Sequence, residues 1–74
     1  MTLDQMPLLQ EATIIRTDGA GPLRLRLLDM GLIRGTRVTI QKVAPMGDPL
    51  EINLRGYSLT LRREDARVVE VMPL

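Results

Sequence analysis

With 74 residues and neither histidine nor cysteine, this chain has no disulfide, no histidine or cysteine nucleophile, and neither of the side chains that transition metals prefer. Hydrophobic residues make up 45% of the chain, which is typical of a globular protein, and a net charge of +1 excludes strong bulk attraction to nucleic acid or anionic lipid. We therefore expect one small domain, residues 1–74, held by an aliphatic core.

A strand and a helix open the predicted fold. The β-branched run within Ala12–Arg16 predicts the first strand. Pro22–Met30 predicts a helix, because apolar residues recur at i, i+4 and i+7, Pro22 suits the first helical position, and Gly31 suits the position after the end. The alternating leucines and arginines of Leu23–Leu27 would also fit a strand, but the flanking proline and glycine favour the helix.

Three more strands and a shaped loop follow. Thr36–Val43 alternates apolar and polar residues and predicts a strand, and two prolines and a glycine make residues 44–49 a shaped, exposed loop. Glu51–Arg55 and Tyr57–Arg62 repeat the alternation, and Gly56 between them predicts a tight hairpin in which it adopts a positive φ. The buried face of the second of these strands is expected to carry Tyr57, Leu59 and Leu61.

A helical turn at Arg63–Ala66 and a last strand at Arg67–Val71 complete the predicted elements. Together they predict a mostly β fold, a small SH3-like antiparallel β-barrel of about five strands with one short helix inserted after the first strand. We expect the core to span about residues 9–72, and we expect closure of the sheet to protect its edges.

Catalytic and ligand-binding chemistry is sparse. Ser58 is the only serine and occupies an outward strand position, and the carboxylates are more typical of solvated surface than of a catalytic pair. The glycine-rich segment Asp18–Gly21 precedes the helix, where it either turns the chain or holds an anion. Met30 and Met46 offer sulfur to a metal, but methionine more often fills a core or adapts to a partner. We expect no enzyme activity and no cofactor.

Tyr57 is the only aromatic residue, so the chain lacks both the stacking platform of single-strand binders and the aromatic groove that holds proline-rich peptides. We expect no nucleic-acid partner. Met1–Gln10 does not have the pattern of a signal peptide, and no apolar run approaches the roughly 18 residues that cross a bilayer. The expectation is a cytoplasmic protein that does not itself span the membrane.

A protein-binding surface is the function that remains. If the helix packs through one apolar face, its other leucines point partly away from the core beside charged residues, as at protein interfaces. Burial of the helix on two sides is the alternative, and the loop at residues 44–49 is either a second contact surface or a rigid connector. The same surface could serve self-association. The candidate partner-binding residues are Leu25, Arg26, Leu28, Asp29, Met46 and Asp48.

Three segments of the chain match motifs of a known family. Arg26–Gly35 reads RLLDMGLIRG and resembles the RL-x-D/E-MGL-x-x-G signature of the FeoA family, ferrous iron transport protein A. Ala44–Ile52 resembles its AP-x-GDP segment, and Gly56–Arg62 resembles its G-x-x-L-x-LR segment, in the expected order. The motif residues interpreted as structural are Met30, Gly31, Leu32, Gly35, Pro45, Gly47, Pro49 and Gly56.

The resemblance implies an SH3-like barrel and a role in bacterial ferrous iron uptake beside FeoB, a membrane transporter with a cytoplasmic GTP-binding domain. We expect a non-catalytic accessory protein that binds FeoB on its cytoplasmic side and supports or modulates its activity. One alternative is a metal-sensing domain like the C-terminal part of iron- or manganese-dependent repressors, although a chain that begins at Met1 has no room for their upstream helix-turn-helix. A narrower variant has an arginine entering the transporter's nucleotide site.

Overall fold

A computed structural model describes all 74 residues. It confirms the five predicted strands, the helix and the helical turn, with ends shifted by one or two residues. A 3-10 helix near the N-terminus was not predicted. In chain order the elements are the 3-10 helix Leu3–Gln5, β1 Glu11–Thr17, α1 Pro22–Asp29, β2 Arg37–Val43, β3 Leu50–Leu54, β4 Tyr57–Leu61, α2 Arg63–Ala66 and β5 Val69–Pro73.

The five strands form one antiparallel sheet in the order β4-β3-β2-β1-β5, which is the SH3-like arrangement expected from the sequence. The expected closure into a barrel is wrong in one respect, because the edge strands β4 and β5 do not pair with each other. The N-terminal residues occupy the free edge of β5 instead. Val71 N–H donates to Met1 O at 2.8 Å, and Thr2 forms a bridge with Glu70. This edge is therefore protected by the chain's own start.

The β3–β4 hairpin turns at Arg55 and Gly56, which both have positive φ, 53° and 83°. Positive φ at both positions is characteristic of a type I′ turn, which matches the twist of the flanking strands. The prediction that Tyr57 is buried is wrong, since 47% of it is exposed. Tyr57 pairs with the buried Leu54 and so shares its face, but it lies at the end of an edge strand, where the core stops.

Fifteen buried apolar residues form a single core cluster to which all five strands contribute. Leu27 of α1 and Leu32 in the following connection are both fully buried in it. The cluster also includes Leu3 and Met6, ahead of the expected start of the core at about residue 9. These two side chains are buried because the 3-10 helix packs against α2 and β5, beneath the open side of the sheet.

Candidate functional site

Helix α1 buries one narrow stripe and leaves the rest of its surface to solvent. Leu27 is fully buried, and Leu23 and Met30 are partly buried against the core, which confirms the predicted inner face. Leu25 on the opposite side is 63% exposed. Leu28 is half-buried and lines a cleft beside arginine side chains. A helix of eight residues against a small sheet thus presents one exposed leucine and one at the border of the core.

A single ion pair ties α1 to α2. Arg26 Nη2 donates to Asp65 Oδ2 across 3.0 Å, and the Arg26 side chain is 60% exposed whereas that of Asp65 is only 12% exposed. Asp29, one turn from Arg26, is exposed and makes no hydrogen bond or ion pair through its side chain. Of the charged candidates on α1, Arg26 therefore has a structural role and Asp29 does not.

The loop at residues 44–49 is held from several directions. Gly47 N–H donates to Ala44 O at 2.7 Å, and Ala44 N–H donates to Pro49 O at 3.1 Å. At the tip, Met46 is 92% exposed. A loop closed by its own backbone hydrogen bonds displays this side chain in a defined place, as expected for a shaped loop.

Helix α2 joins the loop to the body of the protein. Arg63 Nε donates to Gly47 O at 2.8 Å, and Arg63 N–H donates to Asp48 Oδ1 at 2.9 Å. Asp48 thus satisfies the first N–H of α2, a group that a helix cannot satisfy by itself. Because Arg63 holds the loop and Asp65 holds Arg26, one short helix fixes both candidate regions. Sequence patterns gave no signal for these pairings, which connect residues 15 and 39 positions apart.

The motif after α1 is structural. Gly31 has a φ of 102°, and a Cβ atom there would lie 3.0 Å from Tyr57 Oη and 3.1 Å from Leu54 Cδ1. Leu32 is fully buried, and its carbonyl accepts a hydrogen bond from the buried Thr17 hydroxyl at 2.6 Å. Through these contacts the segment connects the end of α1 to β1 and to the β3–β4 hairpin. Positive φ values also occur at Gly35, Gly47 and Gly56, as expected for Gly35 and Gly56 in their turns.

The remaining candidates for catalysis or ligand binding do not converge on one site. Ser58 Oγ donates to Gln41 Oε1 at 3.1 Å on the exposed sheet surface. Asp18 pairs with Arg16 at 3.0 Å, and its N–H donates to Val68 O, so this part of the glycine-rich segment is engaged within the fold. Nowhere do three histidine, cysteine or acidic residues converge as a metal site requires. No helix has the length and apolar character of a membrane span.

Comparison with known proteins identifies several relatives. A Fe(2+) transport protein A/Fe(2+) transporter FeoB fusion protein of Porphyromonas gingivalis is 38% identical over 71 residues, which are 96% of this chain and 8% of that protein. The solution structure of iron(II) transport protein A from Clostridium thermocellum superimposes with a TM-score of 0.95 at 32% identity, covering 100% of this chain and 46% of that one. The chain thus spans less than half the length of these two relatives.

Two further structures bear on the fold. FeoA of Stenotrophomonas maltophilia, solved with zinc and described as an SH3 domain protein, has a TM-score of 0.84 and 27% identity, covering 96% of this chain and 88% of that one. A manganese-dependent transcriptional repressor has a TM-score of 0.89 at 16% identity, covering 100% of this chain and 36% of that one, and this likeness shows the fold alone.

The sequence model of the FeoA domain matches residues 1–73, nearly the whole chain. The match includes the three motifs whose residues carry the resemblance, and the structure from Clostridium thermocellum superimposes over the full chain. The chain belongs to the FeoA domain family.

Proposed function

We propose that this protein is a non-catalytic accessory component of bacterial ferrous iron uptake that binds a FeoB-type transporter on the cytoplasmic side of the membrane. The observation that carries the proposal is the relative in which a segment 38% identical to this chain is joined to a FeoB transporter in one polypeptide. Joining two domains gives them a high effective concentration for each other, which benefits domains that act together.

The contact surface that we propose combines α1 and the loop, and we call it the helix–loop surface. Leu25 and Met46 expose large apolar side chains on elements that are fixed by hydrogen bonds. A backbone that is already fixed favours binding, because a partner does not have to order it. Arg24 and Arg26 flank Leu25 in the sequence and Asp48 lies two positions after Met46, and such charged residues are typical of the polar rim of a protein interface. The helix–loop surface consists of Leu25, Arg26, Leu28, Asp29, Met46 and Asp48.

The proposed role includes no chemical step on this chain. Nucleophilic catalysis requires a nucleophile beside a base, and Ser58, the only serine, hydrogen-bonds an amide oxygen of Gln41. The protein would therefore act by stabilising one state of the transporter. Binding of the protein shifts the equilibrium between two transporter states only as far as its affinities for those two states differ.

A metal-sensing domain is the alternative, and its support is the fold shared with the manganese-dependent repressor. Two proteins that share a fold need not share metal-ligating residues. In this chain no three histidine, cysteine or acidic side chains lie together. Calorimetric titration with Mn²⁺ separates the two hypotheses. A saturable one-to-one site would favour metal sensing, and the accessory role predicts no such site.

Ferrous iron uptake by cells that lack the chromosomal copy of this gene tests the proposal. Wild type supplied in trans should restore uptake, and the double variant Leu25→Ser/Met46→Ser should restore little of it at equal protein level. Leu8→Ser is the matched control, because Leu8 is 53% exposed but lies outside the helix–loop surface. Full uptake with the double variant would reject this surface, and normal uptake without the gene would reject the accessory role.

A further inference from the structure

Two adjacent clefts are lined by arginine. The first has a volume of about 360 Å³ and no apolar lining residue. It is lined by Arg34, Gly35, Thr36, Arg37 and Arg55. The second cleft has a volume of about 390 Å³ and is lined by Ile15, Arg16, Thr17, Arg24, Leu28 and Arg34. Because Arg34 lines both, the two clefts form a continuous strip, which we call the arginine strip.

The arginines of the first cleft have no strong partner within the protein. Arg34 makes no hydrogen bond or ion pair through its side chain. Arg55 Nη2 donates to Thr36 Oγ1 at 3.4 Å, and Arg37 Nη1 lies 4.0 Å from Glu11 Oε2, which is too far for a hydrogen bond. No carboxylate lines the cleft. Three like charges around one concave surface create a positive potential that an anion would relieve.

The sheet register brings these arginines together. Val38 of β2 pairs with Leu54 of β3, so the next residues along, Arg37 and Arg55, come side by side at the end of the hairpin. The connection that carries Arg34 is fixed by the Gly35 N–H, which donates to Ile14 O at 2.8 Å. The cleft is therefore formed by the fold itself, without a ligand.

The small net charge of the chain does not indicate that the arginines are concentrated in this strip. Five of the ten basic residues line the two clefts, so the other five share the rest of the molecule with nine acidic residues. In the second cleft Arg16 pairs with Asp18 at 3.0 Å and with Glu70 at 3.6 Å, so the unbalanced positive charge of the strip lies mainly at the first cleft. An anion would be attracted to the strip although the protein as a whole is almost neutral.

We propose that the first cleft, between Arg34, Arg37 and Arg55, binds a phosphate-bearing ligand that carries at least two negative charges. Guanidinium groups present planar pairs of N–H donors that match phosphate oxygens, and such charge-assisted hydrogen bonds are strong. No hydrophobic residue lines the cleft and three arginines do, so it suits a compact anion better than the side chains of an acidic peptide. A free polyphosphate group and a lipid headgroup share this chemistry.

This site is separate from the helix–loop surface. None of the six residues of that surface lines the first cleft, and only Leu28 lines the second. The proposal therefore does not depend on the proposed transporter contact. Loss of phosphate binding and loss of transporter binding are expected from different substitutions.

Titration of the full chain with sodium pyrophosphate, followed by amide NMR shifts at constant ionic strength, tests the site. We expect saturable shifts at residues 34–37 and 55, and we expect Arg34→Gln to weaken binding by about tenfold or more, since a charge-assisted hydrogen bond is lost. Arg55→Gln should act in the same direction. Arg62→Gln is the matched control, because Arg62 is exposed and unpaired but lies beside Asp48 and Pro49.

Phosphatidic acid vesicles, whose terminal phosphate group ionises twice, distinguish the two sources, with phosphatidylcholine vesicles as the control. Sedimentation with the anionic vesicles that is lost in Arg34→Gln would identify a lipid headgroup, and pyrophosphate binding alone would identify a free phosphate ligand. Linear shifts without saturation, or equal weakening by Arg62→Gln, would overturn the proposal. It would also be overturned if polyglutamate bound at these residues while pyrophosphate did not.

Discussion

Arg26 of α1 and Asp65 of α2, which are 39 positions apart in the chain, form an ion pair across 3.0 Å. The aspartate is nearly buried, with 12% of its side chain exposed, whereas 60% of the arginine side chain is exposed. Arg26 thus belongs to the proposed contact surface and also to the packing of the fold. A change at Arg26 therefore affects both stability and binding, whereas Leu25 has no such second role.

Replacing Arg26 by glutamate should destabilise the protein more than replacing it by alanine. The alanine variant loses a pair that is half exposed, at about 0.5–1 kcal/mol, and the glutamate variant adds repulsion against Asp65 for a total of about 1–2 kcal/mol. Urea unfolding measures both free energies. In an Asp65→Asn background the gap between the two variants should shrink. A gap of unchanged size would show that repulsion is not its cause.

Leu3→Ala should destabilise the protein by about 3 kcal/mol, because Leu3 is fully buried and its truncation leaves a cavity. Leu9→Ala is the matched control, since Leu9 is 73% exposed. Thermal unfolding of the two variants measures the difference. Equal melting temperatures would contradict the packing of the N-terminal 3-10 helix into the core.

Gly31→Ala should cost more stability than Gly56→Ala. Both residues have positive φ, which costs about 1 kcal/mol for alanine, but only the Cβ at position 31 meets other side chains. Crowding against Leu54 and Tyr57 adds about 1 kcal/mol or more. Chemical denaturation of both variants gives the comparison. An equal loss would mean that backbone conformation alone explains the glycine of this motif.

Thr17→Val should cost about 1–2 kcal/mol, because it leaves the buried carbonyl of Leu32 without its donor. Thr13→Val is the control in the same strand, since Thr13 is half-buried and makes no hydrogen bond through its side chain. Its stability should change by less than about 0.5 kcal/mol. If the two variants unfold at the same urea concentration, the hydroxyl of Thr17 does not hold this connection.

Local patterns were sufficient to predict the elements but not the edges of the fold. Alternation gave the strands, and the proline and glycine around α1 gave the helix. Leu3 and Met6 were missed because two apolar residues in a short, irregular segment have no periodicity, and their burial depends on α2 and β5. The exposure of Tyr57 also depends on its place at the end of an edge strand, which a period of two cannot reveal.

The same limit applies to the candidate site. The spacing of leucines on α1 correctly indicated that Leu25 is exposed, because helix geometry determines it. Local patterns do not indicate the pairing of Arg26 with Asp65 or of Arg63 with the loop, because each joins residues far apart in the chain. The convergence of Arg37 with Arg55 likewise follows from the register of β2 and β3. The arginine-rich composition was visible in the sequence, but the place where arginines meet was not.

Equilibrium binding of the purified protein to the detergent-solubilised FeoB transporter of the same organism tests the central claim most directly. The accessory role predicts saturable binding by wild type and by Leu8→Ser, with affinity lowered by about tenfold or more in Leu25→Ser/Met46→Ser, because buried apolar side chains dominate such interfaces. Absence of binding by folded wild-type protein in every nucleotide state of the transporter would contradict the account.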